Sequence, residues 1–76
     1  MKDLLLYIAQ NLVDSPDDVT VMEKETTNET VFELHVAPGD MGKVIGRQGK
    51  VANEIRKLVR SVAQRQGKRV SIDIVD

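Results

Sequence analysis

The chain contains no cysteine and no tryptophan, and only one tyrosine (Tyr7) and one phenylalanine (Phe32). Without cysteine there is no disulfide framework, no thiolate metal site and no cysteine nucleophile. With aromatic residues at 3% of the chain, a base-stacking platform of the kind RRM or single-strand OB folds use is excluded. A single histidine, His35, leaves no second imidazole for a catalytic or zinc-binding pair. Long apolar runs are missing too. The opening Met-Lys-Asp-Leu-Leu-Leu-Tyr-Ile is interrupted too soon for a signal peptide or membrane span, so a cytoplasmic location with no membrane partner is expected.

What is present reads as one small globular domain spanning residues 1–76: 41% hydrophobic and 30% charged residues in 76. The net charge of -1 conceals a polarised chain. Residues 1–40 carry nine acids against Lys2 and Lys24, a balance of -7. Residues 41–76 carry nine bases against Glu54, Asp73 and Asp76, a balance of +6. If the second half presents one surface, that surface suits a polyanion.

Leu4, Leu5, Ile8, Leu12 and Val13 recur at helical spacing, predicting a helix over 2–13 that Asp14-Ser15-Pro16-Asp17 ends. Val19 and Val21 start a strand of about 19–25, and Thr26-Thr27-Asn28-Glu29 has hairpin-turn composition. From Thr30 to Val36 the pattern alternates, with Phe32, Leu34 and Val36 facing inward and Val31, Glu33 and His35 outward. Pro38-Gly39-Asp40 stops this strand, and Asp40 is expected to cap a short helix through Ile45. Gly46 suits a left-handed helix end. A longer helix runs from about Lys50 to Arg65, its apolar stripe Val51, Ile55, Leu58 and Val62 widened by Ala52, Val59 and Ala63. After Gln66-Gly67-Lys68, the alternation of Val70, Ile72 and Ile74 gives a last strand.

The order αββααβ has a definite consequence. The strands flanking the helix pair cannot form a hairpin, so if adjacent they are parallel, with a right-handed crossover. The expected fold is therefore α+β: a three-stranded mixed sheet with three helices on one face. The other face, lined by Val31, Glu33, His35, Ser71 and Asp73, is polar enough to meet water.

Residues 42–50 read Gly-Lys-Val-Ile-Gly-Arg-Gln-Gly-Lys. A dinucleotide fingerprint needs glycine where Val44 stands, and a P-loop needs the same glycine and then serine or threonine at Val51. Both also follow a strand directly, and here a short helix comes first. What remains is helix, Gly-x-x-Gly, helix. In this reading Gly46 lets the backbone reverse, and Gly49 lets a phosphate approach. The first amides of the long helix attract the anion. Arg47 and Gln48 project as donors, with Lys43 and Lys50 on either side. The same turn could serve only to join two helices.

Val44-Ile45-Gly46-Arg47-Gln48-Gly49-Lys50, inside a strand–helix–helix–strand unit at about 29–75, resembles a type II KH domain. Together with Asp14-Ser15-Pro16 and Val36-Ala37-Pro38-Gly39-Asp40-Met41-Gly42, the whole chain is similar to the KhpA family (the YlqC-like group of stand-alone bacterial KH proteins). The resemblance implies binding of single-stranded RNA at Gly46, Arg47, Gln48 and Gly49, helped by Lys43, Lys50 and Ile45. It also implies a role as RNA chaperone or post-transcriptional regulator, with a link to cell-wall homeostasis and cell shape. Partnership as a homodimer or with a KhpB-like KH protein is implied as well.

Two other classes compete with this reading. An enzyme would need a site, yet Asp14, Asp17 and Asp18 lack calcium-loop spacing and His35 has no partner to make it a general base. No catalytic residue, metal or cofactor is expected. A pure interaction module would use the wide apolar arc of the long helix, where Val59, Val62 and Ala63 could pack against a second chain. It would not require Arg47, Gln48 or their basic flanks.

Overall fold

The computed structural model describes residues 1–75. Its elements are α1 (Lys2–Leu12), β1 (Thr20–Glu25), β2 (Thr30–His35), α2 (Met41–Ile45), α3 (Lys50–Arg65) and β3 (Val70–Val75), with short 3-10 turns at Pro16–Asp18, Pro38–Asp40 and Arg47–Gly49. The sheet order is β1-β2-β3, antiparallel between the first pair and parallel between the second. The expected α+β arrangement of mixed sheet and three helices is what the chain adopts.

Registers explain the two faces. Val21 pairs with Leu34, and Phe32 with Ile72, so the apolar residues fall on one side. Leu5 and Ala9 of α1, Val44 of α2, and Ile55, Val59 and Ala63 of α3 close over them. Phe32, Leu5, Leu34, Val44 and Val59 are the largest side chains wholly removed from water. The hairpin turn is held by Thr26, whose N–H and hydroxyl both donate to the Glu29 carbonyl, at 2.8 and 2.9 Å. At the far end of α3 the amides of Gly67 and Lys68 donate to the carbonyls of Gln64 and Ala63, which closes the helix and aims the chain into β3.

Three expectations need correcting. The buried seam of α3 is Ala52, Ile55, Val59 and Ala63, whereas Leu58 is 49% exposed and Val51 and Val62 only half-buried. Two apolar stripes lie side by side on this helix, and the one with two alanines goes inward. Val59 and Ala63, expected at a partner interface, are therefore consumed by the chain's own core. Next, Asp40 occupies the first position before α2 without capping it through its side chain. Its buried carboxylate instead accepts the amides of Asp14 (3.3 Å) and Ser15 (3.1 Å), tying the end of α1 to the start of α2. Finally, His35 is half-buried rather than freely solvated. Its Nε2 has no hydrogen-bond partner, the nearest carboxylate oxygen being Glu33 Oε1 at 3.7 Å.

On the open face Lys24 Nζ meets Glu33 Oε2 at 2.8 Å. The hydrogen bond from Lys24 holds the Glu33 carboxyl below its ordinary range, and the same bond raises the Lys24 ammonium.

Candidate nucleic-acid interface

The loop between α2 and α3 is set by two glycines with positive φ, Gly46 and Gly49. Gly46 adopts φ 75°, ψ 176°, a region essentially closed to residues with a Cβ, and not the left-handed helical region expected from the sequence. Its N–H donates to the Gly42 carbonyl at 2.9 Å, ending α2. A Cβ at this position would stand 2.8 Å from Val51 Cβ and 2.9 Å from Val51 N. Gly46 is thus the point where the two helices touch. The left-handed conformation falls instead on Gln48 (φ 57°, ψ 27°) and Gly49 (φ 76°, ψ 13°). A Cβ at Gly49 would meet nothing within 4 Å. One glycine serves close packing and the other leaves open space at the surface.

The backbone donors also differ from expectation. The 3-10 turn closes on itself: Gly49 N–H donates to the Gly46 carbonyl at 3.2 Å, and Lys50 N–H to that of Arg47. Two of the amides expected to greet an anion are therefore occupied. Those of Arg47 and Gln48 have no acceptor outside the regular helices among the described residues. They sit at the positive end of the α3 dipole, which favours negative charge at the loop.

Around the loop the Arg47 and Gln48 side chains are exposed, as is Lys50, and Ile45 is half-buried beside the core. Arg47 and Lys50 have no carboxylate partner among the described residues, whereas Lys43 Nζ pairs with Asp14 Oδ2 at 3.3 Å. Both members of that pair are exposed, so the interaction is worth about 0–1 kcal/mol and a phosphate can displace it. Sequence reasoning missed one further polar group near the loop, Arg56, whose Nε donates to the Ile72 carbonyl of β3 at 3.3 Å. Its place one and a half turns into α3 was visible in the sequence. That its guanidinium would reach the β3 backbone was not. Among the described residues, no group of three or more acidic or histidine side chains could hold a metal ion, and no helix is long and apolar enough to cross a membrane.

The family model described as KhpA/KhpB, KH domain, matches residues 2–74. The chain is 49% identical over 76 residues to the RNA-binding protein KhpA of Halalkalibacterium halodurans, covering 100% of both chains. It is 46% identical over 76 residues to the RNA-binding protein KhpA of Chlamydia trachomatis serovar D, covering 100% of this chain and 97% of that one. Among solved structures, Era of Aquifex aeolicus bound to GDP and aluminium fluoride superposes with a TM-score of 0.69 at 20% identity, over 96% of this chain and 28% of that one. Era in complex with MgGDPNP and a segment of 16S ribosomal RNA gives a TM-score of 0.66 at 21% identity, again over 96% and 28% of the two chains. At such identities the Era likeness concerns the fold alone.

Proposed function

The chain belongs to the KhpA/KhpB KH-domain family, and from that premise we propose that it binds single-stranded RNA through Gly46, Arg47, Gln48 and Gly49, without catalysing a reaction. The observation that carries this reading is the pair of amides at Arg47 and Gln48. Among the described residues they have no acceptor outside the regular helices, stand beside open space at Gly49, and are flanked by Arg47 and Lys50 side chains with no carboxylate partner. KH modules clamp about four nucleotides at such a loop. Ile45 supplies an apolar neighbour, and Lys43 a further cation once released from Asp14. With few stacking groups, affinity rests on backbone contacts and is modest and salt-sensitive.

In the cell this binding serves RNA chaperoning or post-transcriptional regulation in the cytoplasm. The link to cell-wall homeostasis and shape rests on family resemblance alone. The whole chain acts as one KH domain, and its minimal unit is about residues 29–75. A second reading, association with another copy or a KhpB-like protein, is favoured by Leu58 and Val62, neighbouring apolar residues left uncovered on α3. It adds to the RNA reading and does not compete with it.

The deciding experiment is anisotropy titration of a labelled single strand with wild type and with Arg47→Asp/Gln48→Asp. Aspartate tolerates the left-handed backbone at position 48 better than most residues, so circular dichroism should be unchanged. Binding should be lost, because two carboxylates would face phosphate. For wild type, three cations at the loop imply a log–log salt slope of about -2. Equal affinity of wild type and variant, or a preference for duplex, removes the loop as the site.

A further inference from the structure

The cations of the second half do not spread evenly. Lys43 and Lys57 are paired with Asp14 and Glu54, and Arg56 is engaged by Ile72. Those without a carboxylate within 4.0 Å among the described residues gather at the two ends of α3. Arg47 and Lys50 stand at the glycine loop, and Arg60, Arg65, Lys68 and Arg69 toward the opposite end. There Arg60, Lys68 and Arg69 line, with Gln64, Gly67 and Val70, a cleft of about 390 Å³ that contains no carboxylate.

We infer that this cleft is a second phosphate-binding site, engaging the backbone of the same RNA strand that the glycine loop grips. The proposal rests on the loop reading above and extends its footprint. Three observations bear on it. Three like charges around one cleft repel one another and are stabilised by an anion among them. The negative end of the α3 dipole works against an anion here, but its Ala63 and Gln64 carbonyls are already occupied by the amides of Gln66, Gly67 and Lys68, and the three side-chain charges outweigh it.

The third observation is the surface between the two sites. Lys50, Asn53, Lys57, Arg60 and Gln64 are all exposed. Their alternating spacing of three and four puts them on one face of the helix. One acid borders that face, Glu54, which pairs with Lys57 at 3.4 Å; the face runs about 24 Å for a 16-residue helix. It forms a polar, cationic track from loop to cleft. Acids border the other flank of the cleft's cations: Glu25 and Glu29 share a second cleft with Lys68 and Arg69, Asp3 and Glu23 a third with Lys68, and Glu29 accepts from the Ser71 hydroxyl.

The test compares a strand that matches the roughly four-nucleotide clamp with one several times longer. Proteins are wild type, the loop variant, and Arg60→Gln/Lys68→Gln/Arg69→Gln. The cleft variant should bind the short strand like wild type, lose the extra affinity for the long one, and show a salt slope shallower by about 2 on the long strand. Should the triple variant melt early, Arg60→Glu, a single change at an exposed helix position, must still weaken long-strand binding selectively. Equal long-strand affinity and slope in wild type and cleft variant overturn the cleft while leaving the loop reading intact. No binding of either strand by wild type overturns both. Chemical shifts at Arg60, Lys68 and Arg69 with inorganic phosphate, in the absence of any length advantage, identify a small-anion site and also overturn the proposal.

Discussion

Replacing Gly46 by alanine should damage the fold, whereas the same change at Gly49 should damage binding. At Gly46 two costs combine. A residue with a Cβ at φ 75°, ψ 176° is strained by about 1–3 kcal/mol. The new methyl also intrudes on the Val51 Cγ2 methyl, and on Val51 Cβ at 2.8 Å and Val51 N at 2.9 Å, the last two being atoms of the first turn of α3 that cannot swing aside, for about 1–3 kcal/mol more. The total, about 2–6 kcal/mol, is a large share of the 5–15 kcal/mol available to a typical domain. It should lower Tm by at least about 10 °C at this chain length. At Gly49 the left-handed backbone alone costs about 1–2 kcal/mol, since a Cβ there meets nothing within 4 Å. Thermal melts by circular dichroism give the two stabilities, and anisotropy with a single strand gives the two affinities. A third arm places Gly46→Ala in a Val51→Ala background. Removing the Val51 methyls should recover part of the loss, a coupling of about 0.5–3 kcal/mol. Equal melting losses for the two glycines, or no coupling to Val51, would refute the claim that Gly46 is a packing contact and Gly49 a surface opening.

Asp40→Ala leaves the amides of Asp14 and Ser15 without their acceptor and should cost about 1–3 kcal/mol, read as a lower urea midpoint with unchanged slope; an unaltered midpoint would show that water replaces the carboxylate freely. Glu33 should titrate below its ordinary value of 4.5 by NMR. Because its folded pKa is depressed, its contribution to stability is complete above that value and disappears as pH falls through the lowered one; in Lys24→Gln the titration should move back up, and failure to move would assign the shift elsewhere. Leu58→Asp with Val62→Asp should sediment at the monomer mass of 8.5 kDa under conditions where wild type runs heavier, and a wild type that is itself monomeric at micromolar concentration removes the interface.

The alternation at 30–36 and 70–74 carried the strand assignments because a sheet with one buried face has a period of two, and any slip would expose Phe32 and Leu34. The connection between them excluded a hairpin, so parallel pairing followed once the two strands lay side by side. The glycine loop was legible for a similar reason: a helix cannot continue through Gly46-Arg47-Gln48-Gly49, and the flanking cations are local in sequence. The phase of α3 was not legible. Two apolar stripes, Val51-Leu58-Val62 and Ala52-Val59-Ala63, offer comparable faces, and only the approach of the sheet selects the one whose alanines permit close contact. The role of Asp40 was hidden as well, since its partners lie 25 and 26 residues earlier and no local pattern announces them. Sequence thus determined where the backbone turns, which strand faces are apolar, and where the cations fall along the chain. Tertiary structure decided which amides remain free at the loop, which cations lose their carboxylates, and that the unpaired ones lie at opposite ends of a single helix. Free donors and unpaired charges are defined by what lies nearby in space, and spatial proximity is the property that a linear sequence records least.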